Sequence, residues 1–483
     1  MSFTYSDQQL SIFDEFLNPT NPILAIEATA GAAKTTTITE ATARFKAVNT
    51  SAIVRYIVFG AKASADARSE FGTNAIVSTL HAFAHAQVHA KYGLGQVKPF
   101  LTWMDLPKYP KRPFGKDSAI LQLIEDYCIS PFTSMDDYVT EQDDDFEFSL
   151  VPHAKSIMNL MAKGELAVTH SFYLKLFHVL VVRGVLKLSP VDKLLIDEAQ
   201  DLSAIALDII ERIPTDHMII VGDQNQRIFE FLKLENGFER FKDAKKLQLT
   251  QSFRVDNYYA PAIEEFLQEH LEVHAEFKGM VYPPDQIIRT KAYIARNNVT
   301  IIGKMIELNQ KHTPYNLSSS AKLGQMFKLP LALIYAKPGH IQRDIELKHL
   351  QYDIDEYHKL PTNYRESVSL FKHLLSMDEL QSSLKSAITL VLKFGSDDII
   401  AAYEHAKDHK GTKHQLTLLT AHTSKGATFD EVTLDDDLNL SLDEIKAGTF
   451  RGDDNAIRAE LCLYFVSVSR HRHVLTNAKH LNL

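Results

Sequence analysis

The chain has 483 residues, 45% hydrophobic and 23% charged, with a formal net charge of -9. That length exceeds one ordinary core and predicts several domains of globular composition. The acidic balance excludes a chain coated in positive charge, so any nucleic-acid contact must be a local groove. Only Cys128 and Cys462 occur, far apart and outside any CxxC pair, which excludes a disulfide framework, a four-cysteine zinc site and an iron–sulfur cluster. No apolar run approaches the roughly 20 residues of a membrane span, and "MSFTYSDQQL" lacks a signal pattern. The expectation is a cytoplasmic or nucleoid-associated protein, neither secreted nor membrane-bound.

In chain order, short runs rich in Val, Ile and Leu lead into polar or glycine-containing turns: "NPILAIEA", "RYIVFGAK", "DKLLIDEAQ", "HMIIVGDQ", "KLQLTQSFR" and "QLTLLTAHTSKG". Such runs read as buried parallel strands with function at their carboxyl ends. Between them, "SADARSEF" and "SAIALDIIERI" have apolar spacing suited to helices. The expected fold class is α/β. Two segments, 84–188 and 311–410, interrupt the rhythm with mostly helical patterns and read as insertions into sheet domains. The second contains "ESVSLFKHLLS" and "ELQSSLKSAITLVLKF".

Inside the first insertion, "PKYPKRPFGK" interleaves Lys108, Lys111, Arg112 and Lys116 with Tyr109 and Phe114. It reads as a solvated proline-rich loop or as a guide for a nucleic-acid strand. The acidic "EQDDDFEF" from Glu141 reads as a solvated loop. His81, His85 and His89 recur every four residues, which aligns them on a helix, but no nearby acid or cysteine completes a metal site.

The chemistry concentrates in three stretches. In "IEATAGAAKTTTITE" a phosphate-binding loop of the form G-x-x-x-x-G-K-S/T is spelled with Ala28 and Ala33 in the glycine positions. Ala30, Gly31, Ala32, Ala33, Lys34, Thr35 and Thr36 would line the phosphates. Gly31 is expected at the turn needing positive φ, and Ala33 at the entry to a helix. A plain strand–turn–helix is the alternative. "LLIDEAQD" delivers two acids from an apolar strand. Asp197, with Thr35, suits magnesium, and Glu198 suits proton acceptance from an attacking water; ordinary acidic capping of a helix is the other reading. "IIVGDQNQRIFEF" adds Gly222, Asp223 and Gln226, the glutamine placed to report the terminal phosphate. Phe229 and Phe231 offer either base-stacking faces or core.

Together these stretches resemble the UvrD/Rep/PcrA family of superfamily 1 DNA helicases, in the family's order and over most of the chain. "SDQQ" resembles its adenine-reading glutamine motif, with Gln8 the better match. "FGAKASADA" resembles the TNKAA string and "STLHAFA" the TxHxF string, which implies Lys62, Thr79, His81 and Phe83 on a DNA track together with Phe231. "LTQSFR" resembles the NYR motif, implying that Phe253 stacks on adenine and Arg254 reaches the terminal phosphate. "TAHTSKGATFDEV" resembles TxHxxKGLEF, placing His422 on DNA, with Lys425 beside it and Gly426 at the nucleotide. "ELCLYFVSVSRHR" resembles Y-V-x-x-T-R-A, making Arg470 the second arginine finger. "LTQSFR" and the acidic "LDDDL" look closest to the F-box DNA helicase branch. No F-box is apparent, so ubiquitin-ligase function is not carried over.

The resemblance implies two RecA-like motor domains, 1–83 with 189–245 and 246–310 with 411–483. Helical insertions 84–188 and a reduced 311–410 accompany them. It implies ATP and Mg2+ as cofactors, a monomeric motor acting on single-stranded DNA and single/double-strand junctions, 3′-to-5′ travel, and recombination or replication proteins as partners. Four departures stand out: Ala33, Leu232 for an arginine, Thr428 for a glutamate and His471 for an alanine. The altered loop motivates an alternative, a non-hydrolysing, nucleotide-gated DNA-binding or partner-docking module. An RNA-directed motor is a third reading.

Overall fold

The computed structural model describes residues 5–102, 105–106, 116–142, 146–228, 234–273, 276–283, 285–318, 322–335, 345–377, 382–408 and 414–483. It forms two compact units, Met1–Thr250 and Gln251–Leu483. Both are α/β units built on parallel sheets, the fold class expected from the sequence.

In the first unit six parallel strands lie side by side in the order Lys245–Leu249, Ile23–Ala28, Thr215–Gly222, Val191–Ile196, Val54–Val58 and Ile76–Thr79. Leu24, Ile26 and Ala28 pack on one face with Tyr56, Leu195 and Ile219, while Ala25 joins Ile57, Leu194 and Ile220 on the other. Burial of both faces is why these strands read as apolar runs instead of alternating ones. The helices Asp7–Leu17 and Lys34–Val48 cover the first face through Ile12, Phe16, Ile38 and Phe45. The second face shares one core with the inserted helices Leu80–Tyr92, Asp117–Ile129, Val151–Ala162 and His170–Val182, through Val88, Ile120, Ile157 and Phe177.

The second unit holds a five-stranded parallel sheet in the order Asn316–Leu317, Leu416–Thr420, Lys291–Ala295, Phe429–Leu434 and His471–Thr476. A short parallel ladder joins Gln251–Asp256 to Lys278–Met280. Its inserted helices end in Ser382–Asp408, which breaks into two at Gly395, where φ is 79°. Ile301, Ile302 and Met305 of the helix Asn298–Gln310 pack with Ala387, Ile388, Val391 and Ile399 of that broken helix. No helix among the described residues is long and apolar enough to cross a membrane.

"KLQLTQSFR", expected as one strand, is two. Lys245–Leu249 pairs with Ile23–Ala28, so the units divide after Thr250 where a division after residue 245 was expected, and Gln251–Asp256 starts the second unit. The helix expected across "SAIALDIIERI" covers only Ala204–Ile210. Lys108, Tyr109, Lys111, Arg112 and Phe114, the centre of the acidic run at 143–145, and Phe229, Phe231 and Leu232 lie outside the described residues. Lys116, at the edge of the basic stretch, pairs with Glu147 at 2.8 Å.

Two buried histidines couple this fold to pH. His217, 1% exposed, accepts a hydrogen bond from the buried Lys193 ammonium at 3.0 Å, and His471 is 0% exposed against Tyr259. Burial, joined at His217 by the Lys193 charge, pushes each imidazole down to about 4. The unfolded chain therefore binds these protons first, near pH 6.5, and stability falls as pH drops from about 6.5 to about 4, by on the order of 3 kcal/mol per histidine. Thermal unfolding midpoints should decline across that window, and His217→Asn should flatten the decline. A level wild-type profile would contradict this account.

Candidate nucleotide site and nucleic-acid track

Because all six strands of the first sheet are parallel, their carboxyl ends share one edge, and the sequence-predicted chemistry follows directly from those ends. Ile23–Ala28 leads into residues 29–33 and the helix beginning at Lys34; Val191–Ile196 leads to Asp197 and Glu198; Thr215–Gly222 leads to Asp223. In register, Glu27 lies beside Gly222 and Ile196 beside Ile220.

The misspelled loop is explained residue by residue. Ala28 ends the strand, paired with Leu249, and its methyl group is buried in the core, so no glycine is needed there. Gly31 has φ 76°, as expected. Ala33 is also left-handed, with φ 53° and ψ 38°, and no side chain caps the helix it begins. Its carbonyl accepts from Thr37 N at 2.9 Å and Thr37 Oγ1 at 3.0 Å. Buried Gln9 donates to the same Thr37 hydroxyl at 2.9 Å, tying the first helix to the loop.

Left-handed backbone disfavours a residue with a Cβ by about 1–2 kcal/mol, while glycine loses about 0.4–1 kcal/mol more chain entropy on folding. Ala33→Gly is therefore expected to raise the unfolding midpoint by about 1–3 °C, with nucleotide turnover unchanged or raised. A lowered midpoint or a collapse of turnover would show that the methyl group contributes to the loop.

Among the acids, Asp197 is half-buried. Burial, with the neighbouring Glu198 charge, raises its carboxyl to about 6, against the lowering effect of the Tyr56 hydroxyl, Lys34 and the Glu198 N–H, which donates at 3.0 Å. Burial likewise raises Asp223, with Lys34, Gln226 and Asn225 opposing it. Lys34 thus lies close enough for its charge to act on both acids. Glu198 has left-handed backbone, φ 48° and ψ 44°, a strained conformation of the kind that clusters at functional sites.

Sequence reasoning missed the role of two residues here. Fully buried Gln200 donates to Glu198 Oε2 and accepts from Asp223 N at 3.1 Å, linking the ends of two strands. A Cβ at Gly222 would lie 2.1 Å from that same amide oxygen, so a larger residue there would displace the Gln200 amide. Tyr56 is buried on the adjacent strand, where burial and then the Asp197 charge push its phenol well above the ordinary range. A tyrosine in an otherwise apolar strand needs a partner for its hydroxyl, and that was the available signal.

Magnesium takes hard oxygen ligands and is held by one or two carboxylates together with substrate phosphates. The Asp197 carboxylate and Thr35 hydroxyl fit that donor set. Gln226 is buried, donating to Asp223 Oδ2 at 2.6 Å. Gln8 contacts Thr250 through both amide atoms, accepting from Thr250 N at 2.9 Å and donating to its hydroxyl at 3.1 Å.

Residues 15–232 match the model of an AAA domain. F-box DNA helicase protein 1 of Schizosaccharomyces pombe is 24% identical to this chain over 518 aligned residues, covering 96% of the chain. Over residues 15–232 the chain is similar to an AAA domain, and over most of its length to a curated DNA helicase. It spans 56% of the length of that curated relative. A structure of PRRSV helicase covers 97% of this chain and 53% of its own, at 10% identity and a TM-score of 0.30.

The expected DNA-track residues occupy separate settings. Lys62 is exposed on the helix Ala61–Phe71, and Thr79 caps the helix Leu80–Tyr92 by accepting from Ala82 N at 3.0 Å. His81 is exposed, edge-on to His170 and Tyr173, and the His85 and His89 rings stack at 5.4 Å. Phe83 corrects the expectation. Its ring is 8% exposed, with the Arg55 guanidinium 4.3 Å from its centroid and Phe177 at 5.5 Å, so it serves the core and not a base. Phe59, unmarked by the sequence reading, is 55% exposed just beyond the carboxyl end of Val54–Val58.

In the second unit Arg254 and Arg470 meet at one residue. Arg254 donates to Ser469 O at 3.2 Å and Arg470 to Ser469 Oγ at 2.7 Å. Arg470 differs from an exposed finger. It is 1% exposed, and its Nε donates to Val466 O at 2.7 Å, bracing the end of the helix Asp454–Val468. Phe253 is half-buried; His422 and Lys425 are partly exposed around the end of Leu416–Thr420; Gly426 is exposed with φ 80°. Thr428 is partly exposed, and His471 fills a buried place.

Proposed function

We propose that this chain is an ATP-dependent single-stranded DNA translocase and helicase moving 3′ to 5′. The observation that carries the reading is the shared strand edge that gathers Lys34, Asp197, Glu198 and Asp223. Lys34 and the loop Ala30–Thr36 bind the phosphates, with Thr35 and Asp197 on magnesium, which when bound neutralises phosphate charge. Glu198 accepts the proton of the attacking water, and Gln226 senses the terminal phosphate. Arg254 and Arg470 supply positive charge to the transferring group, Arg470 after release from Val466. Gln8, Phe253 and Gly426 hold the base and sugar.

Lys62, Thr79, His81, His422 and Phe231 bind the DNA strand, and Phe59 offers a stacking face at the same strand edge. ATP favours one arrangement of the motor and hydrolysis releases it, so alternating grips give directional movement. Recombination or replication proteins are proposed partners. Displacement of streptavidin from biotinylated single strands tests the reading. Faster ATP-dependent release from 5′-end biotin than from 3′-end biotin is expected, and the reverse would refute the direction. The engaged Arg470 favours a second reading, a nucleotide-gated binding module, which would bind ATP tightly without DNA-stimulated turnover.

A further inference from the structure

We propose that His81, His85, His89 and His170 form one imidazole surface that grips the phosphate backbone of a nucleic-acid strand and tightens as pH falls. The inference rests on the reading of Thr79 and His81 as strand-binding residues, and it extends that track onto the inserted helices.

His81, His85 and His89 recur along the helix Leu80–Tyr92, which follows directly from the carboxyl end of Ile76–Thr79, at the sheet edge that also carries the phosphate loop. Residues four apart share a helix face. The neighbouring helix His170–Val182 brings His170 to that face, its ring 6.2 Å from His81. Tyr173, 3% exposed, lies edge-on to His81, His85 and His170 at 6.0, 5.1 and 5.6 Å, and its hydroxyl meets His170 Nδ1 at 2.9 Å. The His85 and His89 planes stack only 9° apart. His81, His89 and His170 are exposed and His85 is half-buried.

The charges that act on these rings are one another's. Partial desolvation, then His170, lowers His81; desolvation, then His89 and His170, lowers His85. Among the described residues the histidines paired with carboxylates are His178, His270 and His480, so no acid neutralises this surface. On the same two helices Lys91 donates to Val185 O, Lys175 to Ser130 O and Phe132 O, and His178 is held by Asp208. Glu125 and Asp126 of the packed helix Asp117–Ile129 accept from Ser171 and Gln122. The strand Ile76–Thr79 has no titratable side chain.

An anion at the rings offsets their mutual repulsion and favours each imidazolium, so binding takes up protons and strengthens as pH falls through the usual imidazole range near 6.5. The three helix positions recur about every 6 Å. That row suits a polymer of repeated negative charges better than one small anion. Exposed imidazole faces also stack on unpaired bases, which favours a nucleic acid over an acidic peptide. No group of three side chains that could hold a metal ion occurs among the described residues.

Anisotropy titrations of the full chain with a dye-labelled oligothymidylate, over a range of salt at about pH 8 and about pH 6, test the proposal. Wild-type affinity should rise about tenfold at the lower pH, the factor for one imidazole raised by one unit. The slope of log affinity against log salt should steepen by about 0.7 for each imidazole that becomes charged. His85→Gln combined with His89→Gln should remove most of both changes. His89→Gln alone, on an exposed helix face, should remove part of them with an unchanged thermal midpoint.

Equal binding at both pH values, or a pH response that survives the substitutions, overturns this surface while the strand-binding reading stands. Folded protein that binds no DNA at either pH overturns both. Stronger competition by polyglutamate than by unlabelled oligothymidylate at the lower pH assigns the surface to an acidic protein and overturns the nucleic-acid proposal.

Discussion

Lys34→Ala is expected to abolish detectable ATP turnover, a loss of at least about 100–1,000-fold by the scale set when a single preorganised charge-stabilising donor is removed. Lys34 begins the helix Lys34–Val48, and its charge acts on both Asp197 and Asp223. Removing the ammonium takes the cation from the phosphates and also leaves the half-buried Asp197 and the buried Asp223 facing an anionic ligand. The side chain is only partly buried, so the thermal midpoint should stay close to that of the parent. Nucleotide titration and steady-state hydrolysis check the effect. Turnover retained in Lys34→Ala would remove this loop from the reaction.

Glu198→Gln should separate binding from chemistry. The replacement has nearly the same shape and can still accept from Gln200, but it cannot take a proton from water. Hydrolysis should fall by about 100–10,000-fold, the range for a lost general base, while ATP and single-stranded DNA binding persist. Single-turnover hydrolysis together with DNA-binding titrations tests both halves. Normal hydrolysis would refute Glu198 as the base.

Strand ends and loop chemistry were legible because parallel sheets bury both strand faces and expose function at one edge. "NPILAIEA", "DKLLIDEAQ" and "HMIIVGDQ" therefore marked the strands whose ends precede Lys34, Asp197 and Asp223. The strands Lys291–Ala295, Phe429–Leu434 and His471–Thr476 were not legible. "FDEVTL" and "HRHVLT" interrupt their apolar positions with charged or polar residues, which hides a strand from any reading by hydrophobic runs. Thr250 concealed the division between units because an uninterrupted β-prone stretch serves two sheets.

Side-chain direction was illegible for a different reason. Phe83 and Arg470 sit within strings that resemble functional motifs, yet one ring packs under Arg55 and Phe177 and one guanidinium braces Val466. Spacing along the chain does not encode which way such a side chain turns. The link from Gln200 to Asp223 was hidden for the converse reason, since it is made across neighbouring strands and not along the sequence. The Ala33 departure, by contrast, resolved into one strained backbone position.

The central claim is that the alanine-rich loop works in a DNA-dependent ATPase. It is tested most directly by steady-state ATP hydrolysis of the wild-type chain with and without single-stranded DNA, with Lys34→Ala as the control for contaminating activity. The account predicts strong stimulation by DNA, greater than by RNA, that disappears in the variant. Absence of turnover in a folded protein that binds both ATP and DNA would contradict it.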